Sequence, residues 1–441
     1  MKLIIILLFL VLQPIAVMAA SFAPGVLDKY EENESEAIAP NDFNTTLNYS
    51  YDEIDRHALN APTSAQATVE SLAAYLIKPA KNDREKARAI FRWITENIDY
   101  DLEAYFTGNI GSTNYTDVLK SRRSVCIGYS DLFSSLAQEA GLEVVKIRGY
   151  GKGYSYRPGE SFTGPFNHAW NAVRINGSWY LMDSTWGAGF VSGDGKYVRL
   201  FDDHFFMTKP SQFIFNHFPE DARWQLLDEP ISKEEFENLV YLESDFFNLG
   251  LKLDQRNGTI VADKQVNVSV FAPKDVLMMA DLEYADHGAS GEALDGRTFC
   301  QRDGERYDIY AQFPAKGSYI LKAYAKRRDD PGKYNSVLEY RIDAASGGGA
   351  GFPMAFGKFS EAGAYLYGPL EGRLLAGESY LFRIRVPGAE NVSVVCGKEW
   401  THLAMQGELF EGNATVSGDN VGIFAKFQGE EWDGLVRYEE E

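Results

Sequence analysis

The fold of the first half of the chain is decided by the stretch His168-Ala-Trp-Asn-Ala-Val-Arg-Ile-Asn-Gly-Ser-Trp-Tyr-Leu-Met-Asp183. Two apolar-rich runs flank Asn176-Gly177, a pair that favours a tight turn with positive φ at both positions. We therefore predict a β-hairpin in which residues equidistant from this turn face each other, so that Trp170 faces Asp183. His168 lies one diagonal step from Asp183 on the same face, where side chains can meet. The hairpin thus predicts a histidine–aspartate pair.

A cysteine upstream of the hairpin lies at a predicted helix start. After Ser124-Val-Cys-Ile-Gly-Tyr-Ser-Asp-Leu132 the apolar residues repeat every four positions, which predicts a helix from near Cys126 to Gly141. Unpaired N–H groups at a helix N-terminus favour a thiolate, the nucleophilic form of cysteine. An aspartate that holds one nitrogen of His168 leaves the other nitrogen for a thiol. Each of these residues alone is more often structural, but their combination favours a catalytic arrangement.

Three motifs together resemble the transglutaminase-like superfamily. They are the segment around Cys126, Asn167-His-Ala-Trp-Asn171 and Trp179-Tyr-Leu-Met-Asp-Ser-Thr-Trp-Gly187. The resemblance covers roughly residues 64–250, and its later part is similar to the kyphoscoliosis-peptidase branch. It implies a papain-like core in which Cys126 is the nucleophile, His168 the base and Asp183 the residue that orients the base.

The start of the chain is typical of a secretory signal peptide. Lys2 precedes an apolar run, and small residues near Ala19 suit a cleavage site. The run is shorter than the roughly 20 residues that a membrane-spanning helix needs. We therefore expect a secreted, periplasmic or cell-surface protein, cleaved near Ala19 and without a stable membrane span after cleavage.

The composition of the chain changes along its length. We predict a signal peptide over residues 1–19, an acidic linker or arm over 20–62, and a transglutaminase-like catalytic core over 63–252. Two strand-rich blocks follow, which predict β-sandwich-like modules at 253–345 and 352–441. The expected fold class is α+β: a papain-like, transglutaminase-like cysteine core followed by two small all-β sandwich-like modules.

Charge and cysteine content exclude several classes of function. The 441 residues include 63 Asp and Glu and 43 Lys and Arg, a net charge of −20, which argues against nucleic-acid binding. The chain has three cysteines, no CxxC pair and no HExxH motif, so we predict neither a metal site nor a cofactor. His204 and His217 are candidate metal ligands with neighbouring aspartates, but a surface role is favoured. A disulfide between Cys300 and Cys396 remains open.

Two functional hypotheses follow. The first is a cysteine acyl-transfer enzyme that attacks peptide or glutamine amide bonds in a protein or peptide substrate through a thioester on Cys126. Release of the thioester by water gives a protease or amidase, and release by a lysine amine gives a transglutaminase. Hydrolysis is favoured because water is always available. The second hypothesis is a non-catalytic extracellular binding or assembly protein, with a protein partner held by the β modules.

Overall fold

The computed structural model describes residues 49–285, 293–417 and 420–440. The predicted signal peptide at residues 1–19 lies outside the described residues, as does most of the predicted acidic arm. In the ranges described, no helix is both long and apolar enough to cross a membrane.

Helices form one layer of the core. Those that precede the central sheet are α1 (Asp52–Leu59), α2 (Val69–Leu76), α3 (Asp83–Asn97), α4 (Leu102–Thr107), α5 (Tyr115–Ser121) and α6 (Cys126–Glu139). The predicted start of α6 at Cys126 is confirmed, and Gly141 with φ of 77° follows its end. The N-cap of α3 is Asn82, whose side chain accepts a hydrogen bond from the Glu85 amide.

The last part of the predicted acidic arm is folded. Helix α1 buries Ile54 and Ala58 in the core. The Asp55 carboxylate accepts hydrogen bonds from the buried Arg88 guanidinium on α3, at 2.7 and 2.8 Å. The prediction of an exposed linker over residues 20–62 is therefore wrong for residues 52–59, which form a helix. The acidic composition of this segment did not indicate an amphipathic helix, because the acidic side chains lie on its outer face or pair with Arg88.

A five-stranded antiparallel sheet packs on the helices in the order β8-β5-β4-β3-β9. Its strands are β3 (Glu143–Gly151), β4 (His168–Ile175), β5 (Ser178–Met182), β8 (Phe206–Thr208) and β9 (His217–Pro219). Short pairs outside this sheet are β1 (Asp99–Tyr100) with β2 (Arg123–Ser124), and β6 (Gly189–Val191) with β7 (Tyr197–Arg199). A short helix, α7 (Pro210–Phe213), lies between β8 and β9.

The predicted hairpin register is confirmed. The β4–β5 ladder pairs Asn171 with Met182 and continues to Ile175 with Ser178, with the turn at Asn176-Gly177. Asn176 and Gly177 have φ of 51° and 87°, as a tight hairpin turn requires. The ladder ends one pair before Trp170 and Asp183, because the Asp183 amide donates to the Phe205 carbonyl instead.

Two all-β modules follow the core, which confirms the predicted fold class. In the first, one sheet has the order β10-β18-β17-β14 with β12 beside β18, and the other has β11-β13-β16-β15. Helices α8 (Lys233–Asn238) and α9 (Ser244–Asn248) lead into it. Its strands are β10 (Tyr241–Leu242), β11 (Lys252–Leu253), β12 (Thr259–Ala262), β13 (Gln265–Phe271), β14 (Val276–Tyr284), β15 (Thr298–Asp303), β16 (Arg306–Gln312), β17 (Gly317–Arg327) and β18 (Asn335–Ala344).

The second module has the same two-sheet plan. One sheet has the order β19-β28-β27-β23-β24 with β21 beside β28, and the other has β20-β22-β26-β25. Its elements are β19 (Met354–Ala355), α10 (Gly357–Glu361), β20 (Tyr365–Gly368), β21 (Arg373–Leu374), β22 (Ser379–Arg385), β23 (Asn391–Cys396), β24 (Glu399–His402), β25 (Ala404–Gln406), β26 (Leu409–Thr415), β27 (Val421–Lys426) and β28 (Trp432–Glu440). Cys300 and Cys396 lie in different modules and are not joined by a disulfide.

The boundary between the core and the first module differs from the predicted one at residue 252. Val240, Leu242 and Phe246 belong to the hydrophobic core of the first module, and β10 is a strand of its sheet. Residues 240–252 therefore pack with the β module. Helix α8 instead contacts the core, because Phe236 stacks on Phe162 and its carbonyl accepts a hydrogen bond from Lys152. The sequence pattern of this segment is helical and short, so its partner could not be read from periodicity.

Candidate active site

The first component of the site is a cysteine at a helix N-terminus. Cys126 is the first residue of α6, and the preceding Val125 provides no side-chain cap. No side chain at the N-cap therefore competes for the amides at this helix end, whose positive partial charge favours an anion. The Cys126 side chain is nearly enclosed, since the residue is 7% exposed.

The second component is His168, whose position is set by a backbone clamp. Asn167 accepts a hydrogen bond from the Gly151 amide at 2.7 Å and donates one to its carbonyl at 3.0 Å. A Cβ atom on Gly151 would lie 3.0 Å from the Cβ of His168. Glycine at this position of β3 thus leaves room for the imidazole at the start of β4.

The third component is Asp183, which directly follows β5 and is fully buried. Its Oδ1 accepts hydrogen bonds from the amides of Thr185 and Trp186, at 2.8 and 3.1 Å. Its Oδ2 accepts from Nε2 of His168 at 2.6 Å and from Nε2 of His217 at 3.0 Å. Four hydrogen-bond donors therefore compensate the buried carboxylate for the loss of its hydration.

The electrostatics of the site favour a protonated His168 beside an ionised Asp183 carboxylate. Burial lowers the pKa of His168, but the charge and hydrogen bond of Asp183 and a hydrogen bond with Cys126 outweigh it and raise the pKa to about 10. Burial would raise the pKa of Asp183, but the two histidines hold it well below its ordinary value. The structure therefore places His168 in direct contact with Asp183, and the interaction of His168 with the Cys126 side chain brings the third predicted residue to the same site.

His217 is a component of the site that the sequence did not assign. We predicted a surface role, which is wrong, because His217 is 1% exposed and bonded to Asp183. It lies on β9, which joins the far edge of the sheet beside Gly151. A strand of three residues gives no periodic signal, so only tertiary pairing could place it.

Aromatic rings surround the two imidazoles. His168 packs against Trp170 and Trp186, with ring centroids 5.9 and 5.1 Å away. His217 stacks on Phe213 at 3.8 Å and also contacts Trp186 at 4.4 Å. These rings limit the access of water to the hydrogen bonds of Asp183, which strengthens them.

His168, Asp183 and His217 also form a group that could hold a metal ion, since their ligand atoms lie within 4.8 Å of one another. Both Nε2 atoms, however, lie at hydrogen-bond distance from the same carboxylate oxygen. N–H groups directed at one oxygen are the arrangement of a hydrogen-bonded cluster. We therefore treat the group as such and derive no step through a metal.

Three residues that precede Cys126 in the chain lie in the core or near the site. Arg122 lies over the Trp93 ring at 4.7 Å and donates to Gln66, so its guanidinium is used in packing. Trp93 is fully buried. Burial raises the pKa of Tyr100, and the neighbouring Cys126 and Asp183 raise it further, which indicates that Tyr100 lies near the site.

The chain is similar to known proteins in its core and in its first β module. Residues 70–184 match the family model of the transglutaminase-like superfamily, and residues 233–349 match that of the KY-like, immunoglobulin-like domain. The kyphoscoliosis peptidase of Mus musculus is 34% identical over 287 residues, which are 64% of this chain and 42% of that protein. The Homo sapiens kyphoscoliosis peptidase is 33% identical over 295 residues, 66% of this chain and 43% of that protein.

A further relative is Hillarin of Drosophila melanogaster, 30% identical over 324 residues, which are 66% of this chain and 39% of that protein. The chain thus spans about two fifths of the length of these curated relatives. The resemblance drawn from the three motifs is confirmed. The chain therefore carries a transglutaminase-like domain followed by a KY-like, immunoglobulin-like domain.

Proposed function

We propose that this protein is an exported cysteine acyl-transfer enzyme that acts on peptide or glutamine amide bonds, with hydrolysis favoured over crosslinking. The observation that carries the proposal is the position of the His168 imidazole, which is hydrogen-bonded to Asp183 at 2.6 Å and whose pKa is raised further by the neighbouring Cys126 side chain. One imidazole between a carboxylate and a thiol is the arrangement that activates a nucleophilic cysteine.

In the acylation step, the Cys126 thiolate attacks the amide carbonyl carbon. The carbonyl oxygen gains negative charge, and the Cys126 backbone N–H at the start of α6 is a donor for it. The protonated His168 then gives its proton to the leaving amine as the C–N bond breaks. The products are a thioester on Cys126 and a free amine.

In the deacylation step, His168 accepts a proton from water, which attacks the thioester carbonyl and restores the Cys126 thiolate with release of a carboxylic acid. Asp183 stabilises the imidazolium in both steps. A lysine amine in place of water would give an isopeptide crosslink. We favour hydrolysis because water is present at high concentration and an amine must be recruited.

An aromatic path supports a peptide substrate with an apolar side chain near the reacting amide. Tyr100 lies close to Cys126, and ring contacts of 5.9, 5.2 and 6.0 Å lead from it through Tyr105 and Phe106 to Tyr154. Phe106 is 55% exposed, so the path reaches solvent. Exposed aromatic surface beside a nucleophile suits apolar substrate side chains.

The proposal is tested on the protein lacking residues 1–19. Cys126 labelling by iodoacetamide is followed against pH by peptide mass analysis, with Cys300 and Cys396 as internal controls. We expect rapid labelling of Cys126 below neutral pH and at least a tenfold loss in His168→Ala, since one pKa unit is a factor of ten. Labelling that is slow and equal in both proteins would contradict the proposal.

The two modes of release are separated on a panel of glutamine-containing and apolar peptides. We expect cleavage or deamidation to exceed incorporation of a labelled primary amine, and Cys126→Ala to abolish both. Predominant amine incorporation would instead assign a transglutaminase. Export is tested on protein recovered outside the cytoplasm. Mass analysis of its N-terminal peptide should show that the mature chain begins after Ala19.

The second candidate function is binding of an extracellular protein partner without catalysis. It is supported by the two immunoglobulin-like β modules, which make up much of the second half of the chain. Partner binding that survives Cys126→Ala, together with no turnover on the peptide panel, would favour it over the enzyme.

A further inference from the structure

Two imidazoles are hydrogen-bonded to the Asp183 carboxylate, whereas a three-residue catalytic site requires only one. His168 and His217 both place Nε2 within hydrogen-bond distance of the same oxygen, at 2.6 and 3.0 Å. The two rings are 5.3 Å apart. His168 also interacts with the Cys126 side chain, which contributes to its raised pKa, whereas the Nδ1 atom of His217 is buried and has no hydrogen-bond partner among the described residues.

The surroundings of His217 favour its neutral form. A protonated His217 would bury an N–H at Nδ1 without an acceptor, which costs free energy. It would also place a second cation beside His168, around a single carboxylate. Its other neighbours are the aromatic rings of Phe213, Trp186, Trp170 and Phe205. Burial lowers the pKa of His217 to about 4, although Asp183 opposes this, and the charges of His168 and His204 lower it further.

The neutral form has one defined proton position. Because Nε2 faces a carboxylate, which only accepts hydrogen bonds, the single ring proton lies on Nε2 and is donated to Asp183. The stack on Phe213 and the pairing of His217 with Gly151 in the sheet hold this ring in place. His217 is therefore a rigid, uncharged donor aimed at the oxygen that also binds His168.

We propose that His217 is a positioning residue of the candidate active site, which holds Oδ2 of Asp183 in place so that His168 stays directed at Cys126. This inference rests on the proposed function. The amides of Thr185 and Trp186 hold Oδ1, so without His217 the only hydrogen bond that holds Oδ2 would be the one to His168 itself. The His217 donor supplies a second bond that fixes Oδ2 independently of His168. His217 acts through Asp183 and does not touch the reacting atoms.

The test compares three variants of the whole protein without residues 1–19. In His217→Gln the side-chain amide extends about as far as Nε2 and can still donate to Asp183. In His217→Asn the amide is one methylene shorter and does not reach. In His217→Phe the ring volume and the stack on Phe213 remain, but no donor is left. Gln and Asn are equally polar, so a role in stability alone would affect them alike.

The readout is iodoacetamide labelling of Cys126 against pH. We expect Cys126 labelling in His217→Gln to stay within about threefold of the wild type. In His217→Asn and His217→Phe it should fall at least about tenfold at pH 6, because the Asp183 carboxylate loses a charge-assisted hydrogen bond. Their labelling curves should also move to higher pH, because a loosened Asp183 stabilises the imidazolium of His168 less. Equal curves for Gln and Asn would overturn the proposal, as would a wild-type curve for Phe.

The matched control is His57→Gln. His57 also bonds an oxygen through Nε2, the Tyr75 carbonyl at 2.8 Å, and stacks on an aromatic ring at 4.2 Å. Its variant should label like the wild type. If wild-type labelling does not depend on His168, the proposed function fails and this inference with it. If it does depend on His168 but not on the donor at position 217, the inference alone fails.

Discussion

The catalytic core and the last β module bury polar groups very differently. The core buries His168, Asp183, His217, Lys152 and Arg88, each in a network of partners. In the described part of the last module, Ser393 is the buried polar side chain, and the interior is otherwise apolar. Burying a charge costs free energy unless it is paired. The core therefore carries groups useful for chemistry, whereas the last module is stabilised by apolar packing.

The largest effect is expected for Asp183→Asn, which tests whether the polar groups buried in the core serve catalysis. An amide cannot stabilise the His168 imidazolium, so we expect kcat/KM on the best peptide of the panel to fall by about 10⁴-fold. A loss smaller than about tenfold would remove Asp183 from the mechanism.

The same variant should change the pH dependence of stability. The raised pKa of His168, about 10, contributes stability that is fully present below its ordinary value near 6.5 and is lost as pH rises through about 10. Asp183→Asn removes the charge that raises this pKa. Urea unfolding midpoints of wild type and variant should therefore differ less at pH 10.5 than at pH 6.

The next effect is a loss of stability without a loss of reactivity, in Phe382→Ala. Phe382 on β22 is fully buried in the last module, so the cavity should lower the free energy of unfolding by about 3–5 kcal/mol. Trp400 and Trp432 in the same module supply a fluorescence signal for urea unfolding. Labelling of Cys126 in the folded variant should match the wild type, and a parallel loss would show that the module supports the site.

The smallest effect on stability is expected at Lys152, a buried basic residue of the core that lies outside the candidate active site. The Lys152 ammonium group is fully buried and donates to the carbonyls of Phe236 and Leu239, at 2.8 and 2.9 Å. Lys152→Met removes the Lys152 donor from both carbonyls and leaves the Phe236 carbonyl with only the Leu239 amide. We therefore expect a loss of about 1–3 kcal/mol in the free energy of unfolding. The exposed Lys196, paired with Asp194, supplies the control Lys196→Met, which should unfold like the wild type.

The pH dependence of wild-type stability should identify Lys152. Burial lowers the pKa of Lys152 to about 7 in the folded protein, against an ordinary value of 10.5. The unfolded chain therefore binds more protons between these values, and stability rises with pH across this window. This rise should be smaller in Lys152→Met, and an identical rise in both proteins would place the titrating group elsewhere.

Local patterns predicted those parts of the site that lie on one hairpin and one helix start. The Asn176-Gly177 turn specifies the strand register, and the register places His168 next to Asp183. The apolar repeat after Cys126 specifies the start of α6. The folded helix at residues 52–59 and the module boundary near residue 240 were not predicted, because their burial depends on surfaces contributed by distant segments.

By itself the sequence determined the order of the domains, the hairpin and the identity of the three residues with a candidate catalytic role. These follow from turn chemistry, periodicity and motif spacing, which act over short stretches of chain. The tertiary structure decided that His217 is the fourth member of the group. It brings β9 to the edge of the sheet beside Gly151, and there burial excludes water and leaves the Asp183 carboxylate as the hydrogen-bond partner of the His217 Nε2–H.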